Sequence, residues 1–129
     1  MAAKPLICMT NQLTAINVTR EVRLTGCGRV ADTFLTRLVG LLCDGTLEYG
    51  DGMWIKPCNS IHSIGMGFVF DAIFLDKNQR VVHLVREMRP WRISKIVLSA
   101  HSVLELPAGL ISQTATELGD QFEMRTGVL

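Results

Sequence analysis

The sequence lacks the long apolar runs and the charge bias that mark membrane-spanning and nucleic-acid-binding proteins. No window reaches the roughly 18 consecutive apolar residues that a membrane helix needs. The formal net charge of the 129 residues is only +1, so charge gives no general reason to expect a nucleic acid or a membrane surface as a partner. We therefore expect neither partner, and any such interaction would have to be local.

The chain also has little that indicates secretion, a redox motif or a metal site. Its first apolar run covers only residues 6–9 and is too short for the core of a signal peptide, so we expect a cytoplasmic protein. Without a CxxC pair, the cysteines indicate neither a zinc ribbon nor a redox dithiol. We expect reduced, mostly buried thiols, no metal and no cofactor. The four cysteines are Cys8, Cys27, Cys43 and Cys58.

Internal repeats, low-complexity tracts and linkers rich in Pro, Gly or Ser are likewise missing. The composition is 48% hydrophobic and 19% charged, which is typical of a globular protein and argues against disorder. A chain of this length can bury its own core. We expect one domain over residues 1–129.

Strand patterns dominate what is present. Residues 5–24 are rich in Thr, Val and Ile and predict one or two strands, with VTREVRL as the clearest alternation. The runs FVFDAIFLD and RVVHLVRE flank a turn-forming KNQ and predict a β-hairpin. A short strand at residues 53–55, a strand in VLSAHSVLEL and a final strand in QFEMRT complete the set.

Two short helices are predicted beside these strands. Residues 32–43 follow a helical period between the N-cap Asp32 and the stop signal Gly45, and LISQTATEL ends at Gly119. No regular alternation of strands and helices appears. The fold class is therefore α+β, strand-rich, with a mainly antiparallel sheet or a partly closed barrel and two short helices.

Six separated segments resemble a known family. They are RLVGLL, GMWI, IHSIGMGFVFDAIFLDKNQRVV, the proline of MRP, VLELPAG and LGD, in this order between Arg37 and Asp120. In this order the chain resembles the bacterial and archaeal domain of unknown function numbered 192. The resemblance implies a compact, strand-rich fold and carries no catalytic assignment. Many members have a secretion signal, which we do not expect here.

Asp71 is the one charge inside an apolar strand. Side chains alternate along a strand, and both sides of this one are apolar, so its carboxylate needs a charged partner or several donors. A two-residue loop in the hairpin would place Arg86 opposite Asp71 and His83 opposite Phe74. As the main interpretation, we expect the loop CNSIHS to fold over Asp71 and supply donors.

Catalytic and metal-binding alternatives use the same segment. Cys58 as nucleophile, His62 as base and Asp71 as its orienter would follow the logic of cysteine hydrolases. Glu105 could line a cavity with Asp71, as paired acids do. Cys58 and His62, with His83 or Asp71, could approach a metal ion, but two firm ligands fall short of the three or four that zinc needs.

A second candidate surface is REMRPWRISK, where Trp91 lies between two arginines. Arginine beside an aromatic ring suits an anion or a stacked base. The rest of the chain has no matching basic stripe, so a solvated connection is favoured over nucleic-acid binding.

The leading hypothesis is a non-catalytic binding or accessory module with a polar pocket for a small anionic or polar ligand. A Cys/His-dependent or metal-dependent hydrolase is the first alternative. A structural domain that docks a protein partner through a sheet edge is the second. The candidate ligand-binding residues are Cys58, Asn59, His62, Ser63, Asp71, Arg92 and Glu105.

Overall fold

The computed structural model describes residues 12–31 and 51–127. These residues form seven strands and one short helix. The strands are β1 (Gln12–Asn17), β2 (Val22–Ala31), β3 (Met53–Ile55), β4 (Phe70–Leu75), β5 (Val81–Met88), β6 (Ser102–Pro107) and β7 (Phe122–Gly127), and the helix is α1 (Leu110–Gln113).

All seven strands belong to one sheet in the order β5-β4-β6-β3-β2-β1-β7. Neighbouring strands are antiparallel except β2 and β3, which are parallel, so the sheet is mixed. The edge strands β5 and β7 approach each other near their first residues, through an isolated bridge between Arg80 and Gln121 and a hydrogen bond from the Phe122 N–H to the Gln79 carbonyl at 2.8 Å, without forming a ladder. The fold is therefore a strand-rich mixed sheet that is not closed.

One short helix occurs within residues 12–31 and 51–127, where LISQTATEL is expected to form a longer one. Of the two predicted helices, the one at residues 32–43 lies outside the described residues. LISQTATEL forms the single turn α1, after which Ala115 adopts a positive φ of 55°. Such a φ is unfavourable for a non-glycine residue and ends the helical path. Within the described ranges, no helix is long and apolar enough to cross a membrane.

The strand boundaries also differ from the pattern in two places. VTREVRL is a turn followed by the start of β2, because the chain reverses at residues 18–21 with Glu21 at a φ of 55°. VLSAHSVLEL becomes a strand only from Ser102. The residues before it bond elsewhere, as when the Val97 N–H donates to the Asn59 carbonyl at 2.9 Å.

The predicted β-hairpin of β4 and β5 is confirmed, and its central register is the predicted one, but the expected two-residue loop is wrong because the register shifts beside Leu75, which pairs with Val81. Phe74 pairs with His83, and their rings meet edge to face at 5.2 Å. The register shifts toward the open end, where Phe70 pairs with Met88 and Glu87 has a φ of 51°. An extra residue in one strand is a β-bulge, which re-aims the neighbouring groups.

The central strands are buried on both faces, which explains their apolar sequence. Every residue of β4 is buried. One face of the sheet packs residues such as Ile73, Leu104 and Trp54, and the other packs residues such as Phe74 and Val103. Asp71 alternates with Phe70 and so lies on the first of these faces.

The expectation that all four cysteines are reduced is wrong, because Cys27 is disulfide-bonded. Spacing in the sequence does not report which cysteines approach in space. Cys58 retains its thiol, while Cys8 and Cys43 lie outside the described residues.

Candidate functional site

The buried carboxylate of Asp71 is satisfied by two backbone donors. Oδ1 accepts from the Glu87 N–H and Oδ2 from the Ile111 N–H, each at 2.8 Å. The bulge at Glu87 provides the first donor, and the start of α1 provides the second. The expected pairing with Arg86 and the expected donors from the loop CNSIHS are therefore both wrong. Asp71 ties β4 to β5 and to α1.

Ser63, fully buried, fixes the connection between β5 and β6. Its hydroxyl donates to the Arg89 carbonyl at 2.5 Å and accepts from the Arg92 N–H at 2.9 Å. Its own N–H donates to the Arg92 carbonyl at 2.8 Å. These bonds occupy the side chain in positioning the backbone, so Ser63 has a structural role.

His62 and Arg92 lie on the outer surface. His62 forms a bridge with Ile93, and its Nδ1 accepts from the Ile64 N–H at 3.3 Å. The Arg92 guanidinium donates to the Trp91 carbonyl at 3.4 Å. Both side chains are exposed, so they are accessible to a partner in solvent.

Cys58 and Asn59 line a cleft of about 210 Å³ together with Pro57, Ala100 and His101. The Cys58 N–H donates to the His101 carbonyl at 2.9 Å, and its Sγ donates to the Ser60 carbonyl at 3.0 Å. The histidine that shares the cleft with Cys58 is therefore His101, which sequence reasoning did not select as a site residue. The β3–β6 pairing brings them together, and no local motif reports it.

Glu105 is buried in the middle of the sheet, between Met53 on β3 and Ala72 on β4. It is 1% exposed, and its Oε2 has no hydrogen-bond partner. Burial raises the pKa of Glu105 to about 8. Because Glu105 pairs with Ala72, and Asp71 alternates with Ala72, the two acids lie on opposite faces of the sheet. They do not form an acid/base pair.

No group of three His, Cys, Asp or Glu residues suited to a metal ion occurs within residues 12–31 and 51–127. His83 lies on β5, and burial followed by the charge of Lys95 lowers its pKa. The candidate metal ligands Cys58, His62, Asp71 and His83 have the separate contacts given above.

At the β1–β7 side of the sheet lies a polar network that the sequence did not predict. Asp120 accepts from the Asn17 amide at 2.9 Å and from Arg20 Nε at 3.0 Å, and Asn17 also donates to Thr116 at 3.1 Å. Desolvation acts to raise the pKa of Asp120, but the hydrogen bonds from Arg20 and Asn17 outweigh it and lower the pKa. In the sequence, the aspartate of LGD was the only local sign of this network. The network joins the turn after β1 to the turn before β7.

Residues 89–98, here called the apolar basic loop, present large apolar side chains to solvent. Their residue exposures are 66% for Trp91, 73% for Ile93, 65% for Ile96 and 90% for Leu98. The loop contains three Lys or Arg residues and no Asp or Glu. The sequence favours a solvated connection for residues 86–95 and a strand for VLSAHSVLEL, so the exposure of Ile93, Ile96 and Leu98 is not predicted.

The apolar basic loop is held in place despite its lack of regular structure. The Trp91 N–H donates to the Ser63 carbonyl at 3.1 Å, and the Ser94 N–H donates to the Ile61 carbonyl at 2.9 Å. Val97 is buried and bonds to Asn59. The exposed side chains therefore belong to a positioned segment.

Comparison with known proteins places the chain in a family. Residues 16–124 match the family of domains of unknown function numbered 192 (DUF192), described as "Uncharacterized ACR". A UPF0127 protein of Thermococcus sibiricus is 35% identical over 113 residues, 84% of this chain and 72% of that protein. A UPF0127 protein of Pyrococcus horikoshii is 32% identical over 114 residues, 86% and 98% of the two chains.

A solved structure shares the fold. The crystal structure of a protein of unknown function from Novosphingobium aromaticivorans superposes with a TM-score of 0.72 at 20% identity, covering 86% of this chain and 82% of that chain. The family match and the sequence relatives show, as the six segments indicated, that the chain belongs to the DUF192 family of uncharacterised proteins.

Proposed function

We propose that the protein is a non-catalytic binding module that docks onto an anionic partner surface through the apolar basic loop. The observation that carries the proposal is the exposure of Trp91, Ile93, Ile96 and Leu98 on one positioned segment. Scattered exposed apolar residues are normal in soluble proteins, whereas a contiguous group rimmed by polar residues marks an interaction site.

The polar-pocket hypothesis is less well supported by the geometry. Of the seven candidate residues, Ser63 and Asp71 bond to backbone groups, and Glu105 is enclosed in the core. Cys58 and Asn59 share a cleft, and its volume of about 210 Å³ is below the range of roughly 300–1,000 Å³ that is usual for ligand pockets.

The hydrolase hypothesis is also less well supported, because Cys58, His62 and Asp71 each make other contacts. Asp71 is held by Glu87 and Ile111 and does not orient a histidine. Nucleophilic catalysis needs a base within hydrogen-bond reach and a third group that orients it. Cys58 bonds to the Ser60 carbonyl instead.

The charge of the loop supports an anionic partner. Arg89, Arg92 and Lys95 are exposed, and the loop has no acidic residue to neutralise them. Basic side chains around an apolar centre attract a negatively charged surface and then allow apolar burial.

The proposal is tested with anilinonaphthalene sulfonate, a probe that is both apolar and anionic, followed by backbone amide NMR. We expect dye-induced shifts concentrated at residues 89–98. The variant Ile93→Ser with Leu98→Ser should lose most of the dye binding, whereas Val18→Ser, which removes an exposed apolar residue elsewhere, should keep it. Shifts concentrated at Cys58, Asn59 and His101 would instead favour the cleft and contradict the proposal.

The cytoplasmic location remains a prediction, and one feature opposes it. Disulfides persist in oxidising compartments and are rare in the cytosol, and Cys27 is disulfide-bonded. Mass spectrometry of alkylated protein from the native host would decide between the two: a Cys27 that is alkylated without reductant supports the cytoplasmic location.

A further inference from the structure

We infer that the partner of the apolar basic loop is the surface of an anionic lipid bilayer. The inference rests on the proposed function, since it names the partner of the same surface. It adds a peripheral membrane role to a chain whose net charge of +1 gives no sign of one.

The shape of the loop favours a bilayer over a protein groove. Leu98 is 90% exposed and Ile93 is 73% exposed, so these side chains project from the protein. A second cleft among the described residues, of about 420 Å³, is lined by residues such as His83 and Leu118, and neither this cleft nor the one at Cys58 includes a residue of the loop. A protein partner would have to supply a matching depression for each projecting side chain, whereas the headgroup region of a bilayer adapts to them.

The residue types suit the two layers of a bilayer interface. Isoleucine and leucine gain free energy from contact with acyl chains, and tryptophan prefers the level of the headgroups. Arginine and lysine can bury their aliphatic stems while their charged ends reach the lipid phosphates. In the loop, Trp91 lies between Arg89 and Arg92, and Lys95 lies between Ile93 and Ile96.

Ordering of the loop before binding supports the same role. Ser63 fixes the backbone at Arg89 and Arg92 from within the protein, and the Ile61 N–H donates to Ser94 Oγ at 2.9 Å. A segment that is already positioned loses little conformational entropy when it binds. The projecting side chains are thus presented without a folding step.

The test is cosedimentation of the full chain with vesicles of phosphatidylcholine mixed with phosphatidylserine, and with vesicles of phosphatidylcholine alone. We expect binding to the mixed vesicles and weaker binding to the neutral ones. Replacing Arg92→Gln and Lys95→Gln should weaken binding to the mixed vesicles by about 30-fold, at about 1 kcal/mol for each charge. Arg125→Gln, an exposed charge on β7, is the matched control and should leave binding unchanged.

Apolar insertion has its own readout in tryptophan fluorescence. Trp91 is 66% exposed and Trp54 is 6% exposed, so a blue shift on mixed vesicles reports Trp91, and Trp91→Phe should remove it. Ile93→Ser with Leu98→Ser should weaken binding by at least about tenfold. Val18→Ser should not.

The outcomes separate this inference from the proposed function. If the dye maps to residues 89–98 but the protein ignores mixed vesicles, the bilayer is the wrong partner and the docking surface stands. If an acidic, leucine-containing peptide then binds at the loop, the partner is a protein. If neither dye nor vesicles bind there, both proposals are overturned.

Discussion

The ionisation of Glu105 should make the stability of this protein fall as the pH rises through neutrality. In the folded state burial raises the pKa of Glu105 from its ordinary value of 4.5 to about 8. The unfolded chain releases the proton near the ordinary value, so between these two pH values only the folded state keeps it. Stability is then lost with increasing pH, at up to about 1.4 kcal/mol per pH unit.

The magnitude follows from the width of that window. From 4.5 to about 8, the loss reaches at most about 5 kcal/mol, which is a large share of the 5–15 kcal/mol that is typical for a domain. Relaxation of the core and entry of water would reduce it. Even half of this effect would be visible in the midpoint of a urea titration.

The assay is the free energy of unfolding by urea between about pH 5 and pH 9 for the wild type and for Glu105→Gln. The glutamine has nearly the same shape and does not ionise. It also brings an amide that needs a partner, which costs about 1–3 kcal/mol at every pH. We therefore compare slopes: between about pH 5 and pH 8 the stability of the wild type should decline and that of the variant should not.

The control is Glu21→Gln, which changes an exposed glutamate and should leave the slope as in the wild type. Parallel curves for the wild type and Glu105→Gln would refute the reasoning. They would mean that Glu105 finds a partner or water in solution and ionises normally.

Further substitutions test the buried polar contacts, each by the free energy of unfolding. Asp71→Asn should cost about 1–3 kcal/mol, because one of two backbone N–H groups then faces an amide NH₂, and a cost near zero would contradict the double acceptor role. Ser63→Ala should cost about 1–3 kcal/mol for the same reason, and it should also weaken dye binding at the apolar basic loop. Asp120→Asn should remove stability that the wild type holds above the ordinary aspartate pKa and loses as the pH falls, because the pKa of Asp120 is lowered in the fold. Ile93→Ser with Leu98→Ser should change stability by less than about 0.5 kcal/mol per site, since both side chains are exposed.

The hairpin shows how much of the fold local pattern can predict. The apolar runs around KNQ define two strands, and Phe74 pairs with His83 as predicted, although a register shift beside Leu75 means that the loop is not the two-residue one assumed. The prediction fails at Asp71 because the bulge at Glu87 shifts the register there. A bulge of this kind has no strong sequence signature, although here the Glu87 N–H that it turns inward donates to the buried carboxylate of Asp71.

The candidate site is formed by contacts between segments that are far apart in the sequence. The spacing of residues along the chain does not predict such contacts. Cys58 and His62 are close in sequence, yet the cleft pairs Cys58 with His101 across β3 and β6. The pattern of VLELPAG predicts that Glu105 is a polar residue of a strand, but in the structure its side chain is buried. The exposure of the apolar basic loop was equally hidden, because a run of Ile, Val and Leu residues normally predicts burial.

The position of β7 beside β1 has a consequence for how the chain folds. Gln12 pairs with Gly127 and Asn17 pairs with Phe122, so the first and last strands of the described sheet are neighbours. Their pairing requires closure of a loop that spans nearly all of the described residues, and contacts of this kind slow folding. The hairpins of β4 with β5 and of β1 with β2 can form early from local contacts, whereas the pairing of β1 with β7 comes later. Until β7 pairs, one edge of β1 keeps unpaired N–H and C=O groups, and an unpaired strand edge favours aggregation.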